Sequence, residues 1–403
     1  MLIAALIVAI VSSAVVVGTY ASYYIFVLRN RKTEEFIRLI EQTVANPVIY
    51  EGLPDVTVII PMYNEEVVIS KKLQNMAKLD YPIEKMQILL VDDCSTDGTC
   101  EVAESTISEL GLNGKIVKNP KRMGANASYN IGVPHANSNL ILRTDADVIL
   151  NADSLRKAVQ IISKIENLGA VTGKMNPLYD KNTAATTMEK QYRNLYDRMS
   201  VAESALHSTY PGGGGFTLIK KSVFSPISTN QGSTDGNISL SIIKKGFRHI
   251  YVSESFSFEI ISRRLGDQMR QKVRRARRLI QSTILYRDFM FNKKYGEFGL
   301  VIFPFRFAMF VICPFMLYAG IFSTFCFLLS YSPIIAAFFA AGAFLFFLLG
   351  TKTKIRLLNS ITTVLANQFY LLLGLFLLPK RTGTWKGVEG TKQWHAYAKV
   401  SEG

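Results

Sequence analysis

The placing of apolar residues limits this chain more than any other feature. Residues 1–28 carry no charge and are mostly apolar, long enough to cross a hydrocarbon core of ~30 Å. Arg29, Asn30, Arg31 and Lys32 follow at once. A cleaved signal carries its charge ahead of a shorter apolar region and closes on small residues, so an uncleaved anchor is expected. Positive flanks stay on the cytoplasmic side, which puts the chain beyond Arg29 in the cytosol. A second apolar region fills 299–379, in approximate spans 299–329, 334–350 and 357–378. An anchor plus three full crossings would leave the basic tail 380–403, with Lys380, Arg381, Lys386, Lys392 and Lys399, outside. The positive-inside tendency demands a cytosolic tail. One segment is therefore expected to be re-entrant or interfacial, or the first stretch to be broken at Pro304 or Pro314.

The charge excess, 46 − 31 = +15, would suit a nucleic-acid binder. Hydrophobic residues make up 49% of the chain, which needs a large core or lipid. An integral membrane protein with a cytosolic domain, and no nucleic-acid partner, is the expectation. Cys94, Cys100, Cys313 and Cys326 show no metal-ligand spacing; they are expected to be reduced and structural.

Between the apolar ends, strand and helix alternate. "VTVIIPMYNEE" is a β-branched run closed by Pro61, followed by a helical stretch from Val67 to Leu79. "MQILLVDDCSTDGT" repeats the pattern, with a helix from Thr99 to Leu110; "GKIVKN" and "NLILRTDADVIL" supply further strands around the helix "GANASYNIGVPHA". This predicts an α/β fold, a mostly parallel sheet with helices on both faces. Ligands collect at the carboxyl ends of such strands. There the polar residues fall: Tyr63, Asn64 and Glu65, then Asp92 and Asp93, then Asp145 and Asp147. Neither a Gly-rich dinucleotide fingerprint nor a phosphate-loop sequence follows the first strand, which leaves ordinary dehydrogenases and P-loop ATPases unsupported.

In order, "PMYNEE", "VDDCSTDGT", "RTDADV", "PGGGGFTLIKKSVF", "STDGN" and "RQKVRR" resemble the inverting family 2 glycosyltransferases of the GT-A fold. They are most similar to the membrane-integrated branch of cellulose, chitin and hyaluronan synthases. The resemblance covers residues 55–281. It implies a nucleotide-diphospho-sugar transferase whose donor site is formed by Pro61, Tyr63, Asn64, Glu65, Asp92, Asp93, Arg122, Asp145, Ala146, Asp147, Gln271, Arg274 and Arg275. Tyr63 would stack on the base, and Asp92 and Asp93 would contact base and ribose. Ser95, Thr96 and Asp97 equally suit a turn and helix cap.

Asp145 and Asp147 are two apart. In an extended strand both leave one face and can meet one Mg²⁺ or Mn²⁺, which takes carboxylate and phosphate oxygens. Asp235 aligns with the general base, since a sugar hydroxyl needs a carboxylate to take its proton. The family usually has two acids there; here Thr234 precedes Asp235. Gly213, Gly214 and Gly215, with Thr234, would line the acceptor site. Two departures stand out. Ala125 occupies the place of a common Lys, so Lys121 or Arg122 would supply that charge. Arg275 stands where the family motif has Trp, which weighs against a processive polymerase.

Met269, Val273, Ala276, Ile280 and Ile284 form one apolar stripe of a basic helix. Gln271, Arg274 and Arg275 are expected to face the diphosphate, and Arg270, Lys272, Arg277 or Arg278 the lipid. The expected organisation is an anchor at 1–28, a linker helix at 29–54, a catalytic domain at 55–266 and interfacial helices at 267–298. The membrane region at 299–379 and the tail at 380–403 complete it. The expected activity is transfer from a nucleotide sugar, UDP-linked by preference, to a hydroxyl of a lipid-linked or glycan acceptor. A processive synthase that extrudes its polymer and a polyprenyl-phosphate glycosyltransferase are the alternatives.

Overall fold

The structure, a computed structural model, describes residues 2–45, 52–178, 184–211, 214–260, 265–353 and 355–379. Its centre is an eight-stranded sheet of β1 (Val56–Met62), β2 (Met86–Asp92), β3 (Gly114–Lys118), β4 (Leu140–Arg143), β5 (Val148–Leu150), β6 (Leu168–Leu178), β7 (Thr217–Lys220) and β8 (Arg248–Ile260). The order is β3-β2-β1-β4-β7-β6-β8-β5. β3, β2, β1 and β4 run parallel, as do β6 and β8, while β7 and β5 run against their neighbours. The apolar runs of β1 and β2 are continuous because both faces are covered. Val58, Ile60 and Leu90 meet α3 (Glu66–Ala77), α4 (Thr99–Glu109) and α6 (Ser154–Lys164) in the larger core. Ile59, Leu89 and Val91 meet α5 (Ala125–Gly132) on the other face. α8 (Thr234–Lys244) adds Ile238 and Ile242 beside Ala170 and Ile219.

The predicted sheet is present, with two local corrections. β1 continues through Pro61 to Met62. Its pairing with β4 ends at Ile59, so on that side no neighbour asks Pro61 for an N–H. The run "NLILRTDADVIL" is not one strand: β4 ends at Arg143 and β5 starts at Val148. Asp145 and Asp147 therefore sit in the connecting turn, and the same-face argument for an extended strand does not apply to them.

Four helices are long and apolar enough to cross a membrane: Leu2–Leu28, Phe298–Tyr331, Pro333–Lys352 and Leu358–Phe376. The first contains α1 (Leu2–Tyr23), which runs on as a π-helical turn. The second is not broken at its prolines. π-helical turns Phe298–Ile302 and Ala308–Ile312 precede Pro304 and Pro314, and such wide turns absorb the ring and the missing N–H without ending the helix. The last of the four is the least apolar and buries Asn359, Thr362, Thr363 and Gln368. Gln368 Nε2 donates to Tyr20 Oη at 2.8 Å. The basic tail lies outside the described residues.

Three elements join the sheet to these helices. α2 (Lys32–Ala45), in the expected linker, places Phe36 and Ile40 in the larger core. α7 (Ala184–Leu206) packs against β8 on one side and the membrane helices on the other. α9 (Leu265–Leu285) lies against the last membrane helix, where a Cβ on Gly374 would stand 2.9 Å from the Arg277 backbone nitrogen. Ala276 and Ile280 of the expected stripe are buried, whereas Met269 is exposed.

At the join, Arg306 is 1% exposed and Glu203 0%. Arg306 Nε and Nη2 donate to the two Glu203 oxygens at 2.6 and 3.0 Å, and Tyr23 Oη and Thr209 Oγ1 donate to them at 2.9 and 3.1 Å. Removing one partner strands a buried charge at a cost of about 3–5 kcal/mol, whereas an apolar pair of similar size is tolerated. Arg306→Met is thus expected to lower the thermal unfolding midpoint in detergent sharply, and Glu203→Leu/Arg306→Met to recover most of the loss.

His249 on β8 is fully buried with neither ring nitrogen partnered, and burial pushes its pKa down to about 3. The unfolded chain takes up this proton from about pH 6.5 downward and the folded chain does not. Its contribution is intact above that value and erodes as pH falls toward about 3, by about 2 kcal/mol at pH 5. Unfolding followed from pH 7 to 4.5 is expected to show a shallower acid limb in His249→Leu.

Candidate active site

β1 has β2 on one side and β4 on the other, so the chain direction of winding reverses there and a crevice opens at the carboxyl ends. After β1, Asn64 adopts φ 53°, a left-handed position that Asn tolerates. It ties two loops together: its N–H donates to Ser95 Oγ at 3.1 Å, its Nδ2 to Thr96 Oγ1 at 3.2 Å, and its Oδ1 accepts from Thr96 N at 2.8 Å. Glu65 N donates to Thr99 Oγ1 at 2.8 Å. The turn "CSTDGT" thus braces the first loop, the role its capping chemistry predicted.

The acids after β2 brace as well. Asp92 Oδ1 accepts from Ser95 N at 3.0 Å. Asp93 accepts from Asn119 Nδ2 at 2.8 Å, Met123 N at 2.7 Å and Gly124 N at 2.8 Å. Its carboxylate has few lone pairs left, and it holds the loop 119–124 over the cleft. On that loop, Arg122 lies 3.5 Å from the centre of the Tyr63 ring, a cation–π contact. The structure thus brings Tyr63 and Arg122 together.

Arg143, the first residue of "RTDADV", is the functional candidate that the sequence reading passed over. Its guanidinium is buried; Nη2 donates to both Asp145 oxygens at 3.2 Å, and Nη1 pairs with Asp235 Oδ1. One cation therefore joins the paired aspartates to the candidate base. An arginine interrupting the apolar run "LIL" immediately before two acids was the signal that could have found it. Burial pushes the Asp145 carboxyl above the usual range, with Asp147 and Asp235 adding to this and Arg143 and Lys72 opposing. The hard oxygen donors of Asp145 and Asp147 fit part of a Mg²⁺ or Mn²⁺ shell, with diphosphate oxygens and water left to complete it. Among the described residues no third His, Cys, Asp or Glu joins them.

Asp235 sits in the first turn of α8, whose N-cap Ser233 Oγ accepts from Gly236 N at 3.0 Å. Thr234, where a second acid was expected, donates to Asn126 Oδ1 at 2.6 Å and anchors α8 to α5. α9 is fastened to the same turn: Ser233 N donates to Arg278 O at 3.1 Å and to Ser282 Oγ at 2.9 Å, and Arg278 Nε donates to Gly232 O at 3.0 Å. A Cβ on Gly214 would stand 3.5 Å from Asp235 Oδ2, and one on Gly215, at φ +89°, would stand 3.0 Å from the Val148 side chain. The glycine segment borders the candidate base and backs the aspartate turn, where side chains would intrude; Gly213 lies outside the described residues.

The basic helix divides its charges differently from expectation. Arg275 pairs with Glu259, which also takes Arg193 at 3.1 Å, and Lys272 pairs with Glu189 at 3.0 Å. Arg275, expected to face the diphosphate, is engaged by the Glu259 carboxylate and also feels Asp147. Arg278, expected at lipid, instead feels Asp235, and Arg277 Nη2 donates to Leu378 O at 3.5 Å. Arg274 comes under the influence of Asp147; burial and the neighbouring Arg275 and Arg278 bring its pKa down to about 10, so it is still a cation at neutral pH. Gln271 lies one turn before it on the same partly buried arc.

With this geometry in place, residues 57–227 match the glycosyl transferase family 2 domain. A poly-β-1,6-N-acetyl-D-glucosamine synthase of Staphylococcus aureus is 26% identical over 262 residues, 64% of this chain and 61% of that protein. The chain thus spans less than two thirds of the length of these curated relatives. Poly(ribitol-phosphate) β-N-acetylglucosaminyltransferase TarS of S. aureus is 31% identical over 108 residues, 27% of this chain and 19% of that one. The solved mannosyltransferase PcManGT from Pyrobaculum calidifontis, in complex with GDP-Man and Mn²⁺, shares the fold, with a TM-score of 0.73 over 94% of this chain and 99% of that one at 23% identity. Residues 57–227 of this membrane protein thus match a glycosyl transferase family 2 domain, on a body with the GT-A fold.

Proposed function

We propose that the chain is an inverting glycosyltransferase moving a sugar from a nucleotide sugar to a hydroxyl on a lipid-borne or glycan acceptor at the membrane. One observation carries this reading: Arg143 joins the aspartate turn to Asp235 at the glycine-lined edge of the cleft. Tyr63 and Arg122 take the base on one flank. Asp145 and Asp147 hold a divalent ion whose chemistry, when bound, is to neutralise the diphosphate.

The acceptor oxygen attacks the anomeric carbon from the face opposite the diphosphate and gives its proton to Asp235. The bond between that carbon and the β-phosphate oxygen breaks, and the electron pair leaves with the nucleoside diphosphate, whose charge Arg274 helps to meet. The basic residues following α1 support a cytosolic catalytic domain.

The similarity to a poly-β-1,6-N-acetyl-D-glucosamine synthase supports a second reading, a processive polymerase, which product length separates from the first. The Arg275–Glu259 pair weighs against it, because the acceptor end lacks the flat aromatic surface of Trp.

Purified protein supplied with Mn²⁺ or Mg²⁺ is expected to hydrolyse or transfer from one of a panel of UDP- and GDP-sugars, with a UDP-sugar preferred; absence of turnover on every donor rejects the proposal. Asp235→Asn is expected to lose about 10²–10⁴-fold in transfer with donor affinity kept. Asp93→Asn sets an amide donor against the N–H groups it now accepts. The donor KM is expected to rise about tenfold, the loss of one or two such bonds, with kcat nearly unchanged.

A further inference from the structure

Lys72 is an unusual residue to find inside a domain. It is 1% exposed, on the face of α3 behind the aspartate turn. Its ammonium donates to Thr144 Oγ1 at 2.9 Å and to Val148 O at 2.6 Å, the residues on either side of Asp145–Ala146–Asp147. One turn later, Asn75 Nδ2 donates to Leu150 O at 2.9 Å and its Oδ1 accepts from Leu150 N at 2.8 Å. α3 thus grips the aspartate turn from behind at two levels. Asn75 alone would hold β5, and a long neutral donor such as glutamine could supply the two N–H groups without burying a charge, which is costly unless opposite charge stands near. Burial brings the Lys72 pKa down to about 7, and Asp145 and Asp147 supply the opposite charge that resists this, so Lys72 carries its proton below that pH.

Taken together, the carboxylates Asp145, Asp147 and Asp235 face the cations Lys72, Arg143 and Arg274. Arg275 and Arg278 add positive charge near Asp147 and Asp235, so these carboxylates are compensated before any ligand arrives. A divalent cation entering alone meets carboxylates already served by internal cations, whereas one entering with a diphosphate brings compensating negative charge with it.

We propose that Lys72 is a resident countercharge that positions the aspartate turn and weakens metal binding in the empty cleft, so that the ion enters and leaves with the nucleotide. This rests on the reading of Asp145 and Asp147 as metal ligands. It assigns Lys72 a positioning and affinity-setting role, without contact with substrate. The consequence for turnover is that the ion is not retained after transfer; it departs with the nucleoside diphosphate and leaves an aspartate turn still held by Lys72.

The test is direct Mn²⁺ binding to the full-length protein in detergent, below the pKa of about 7 so that Lys72 is charged, read from the electron paramagnetic resonance signal of free Mn²⁺, so that no turnover is required. Wild type is expected to bind Mn²⁺ at least about a hundredfold more tightly with UDP or GDP present than alone. Lys72→Gln keeps two amide N–H donors for Thr144 and Val148 but removes the charge. It is expected to bind Mn²⁺ alone about tenfold more tightly than wild type, the scale of one charge interaction a few ångströms away at an intermediate dielectric. Thr144→Val, which keeps the charge and loses one tether, is expected to stay within about twofold of wild type.

If Lys72→Gln does not accumulate, Lys72→Met, one atom shorter and uncharged, serves in its place. The wild-type comparison with and without nucleotide stands whatever the variants do. Unchanged or weaker Mn²⁺ affinity in the neutral variants overturns the proposal, as does equal Mn²⁺ affinity of the wild type with and without nucleotide. A wild type that binds no Mn²⁺ even with nucleotide overturns instead the assignment of the metal ligands beneath it.

Discussion

The ion pair between Arg306 and Glu203 is the interaction on which the placing of everything else depends. Glu203 belongs to α7, which packs on the sheet; Arg306 belongs to the second membrane-length helix; Tyr23 closes the group from the first. Three elements far apart in the chain are thereby fixed to one point. A buried pair of this kind adds little net stability over apolar packing. Its value is geometric, since both Glu203 oxygens are engaged, by Arg306 and Tyr23 from the two helices and by Thr209. The placing of the sheet relative to these helices rests on it.

From that fixed point the site is assembled by bracing rather than by free side chains. Most of the acids at the strand ends are already occupied: Asp92 and Asp93 organise loops, Asp145 and Asp235 share Arg143, and Glu259 holds Arg275. α9 is joined to the turn bearing Asp235 and to the last membrane helix at Gly374. A shift of the membrane helices is thus felt at the candidate base through a short path of backbone contacts.

Much of this was legible in the sequence because the signals were local. Strand and helix alternation gave the mostly parallel sheet, and strand-end acids gave the crevice. The apolar spans gave the membrane-length helices, although Pro304 and Pro314 do not interrupt theirs, because π-helical turns take up the strain. What stayed hidden depends on contacts between distant segments. Nothing near Arg143 names Asp235 as its partner, and the pairing of Arg275 with Glu259 needs α9 and β8 side by side. Lys72 reads as one of two adjacent lysines on an amphipathic helix; only the fold reveals which of the pair is inside. The turn at Asp145–Ala146–Asp147 was mistaken for strand because apolar residues flank it on both sides, and the sheet uses those flanks as two different strands.

The polar side chains of the last membrane helix carry a consequence for biogenesis. Asn359, Thr362, Thr363 and Gln368 face inward, and the Gln368 amide nitrogen donates to Tyr20 of the first helix. Exposed to lipid tails alone, such a segment is a poor candidate for independent entry into a bilayer. Helices synthesised earlier offer it partners, so its insertion is coupled to tertiary assembly rather than preceding it. The chain's first and last spans then become mutual conditions of a finished fold. A ribosome reaching residue 376 completes a surface that the helix Leu2–Leu28 has until then exposed to lipid.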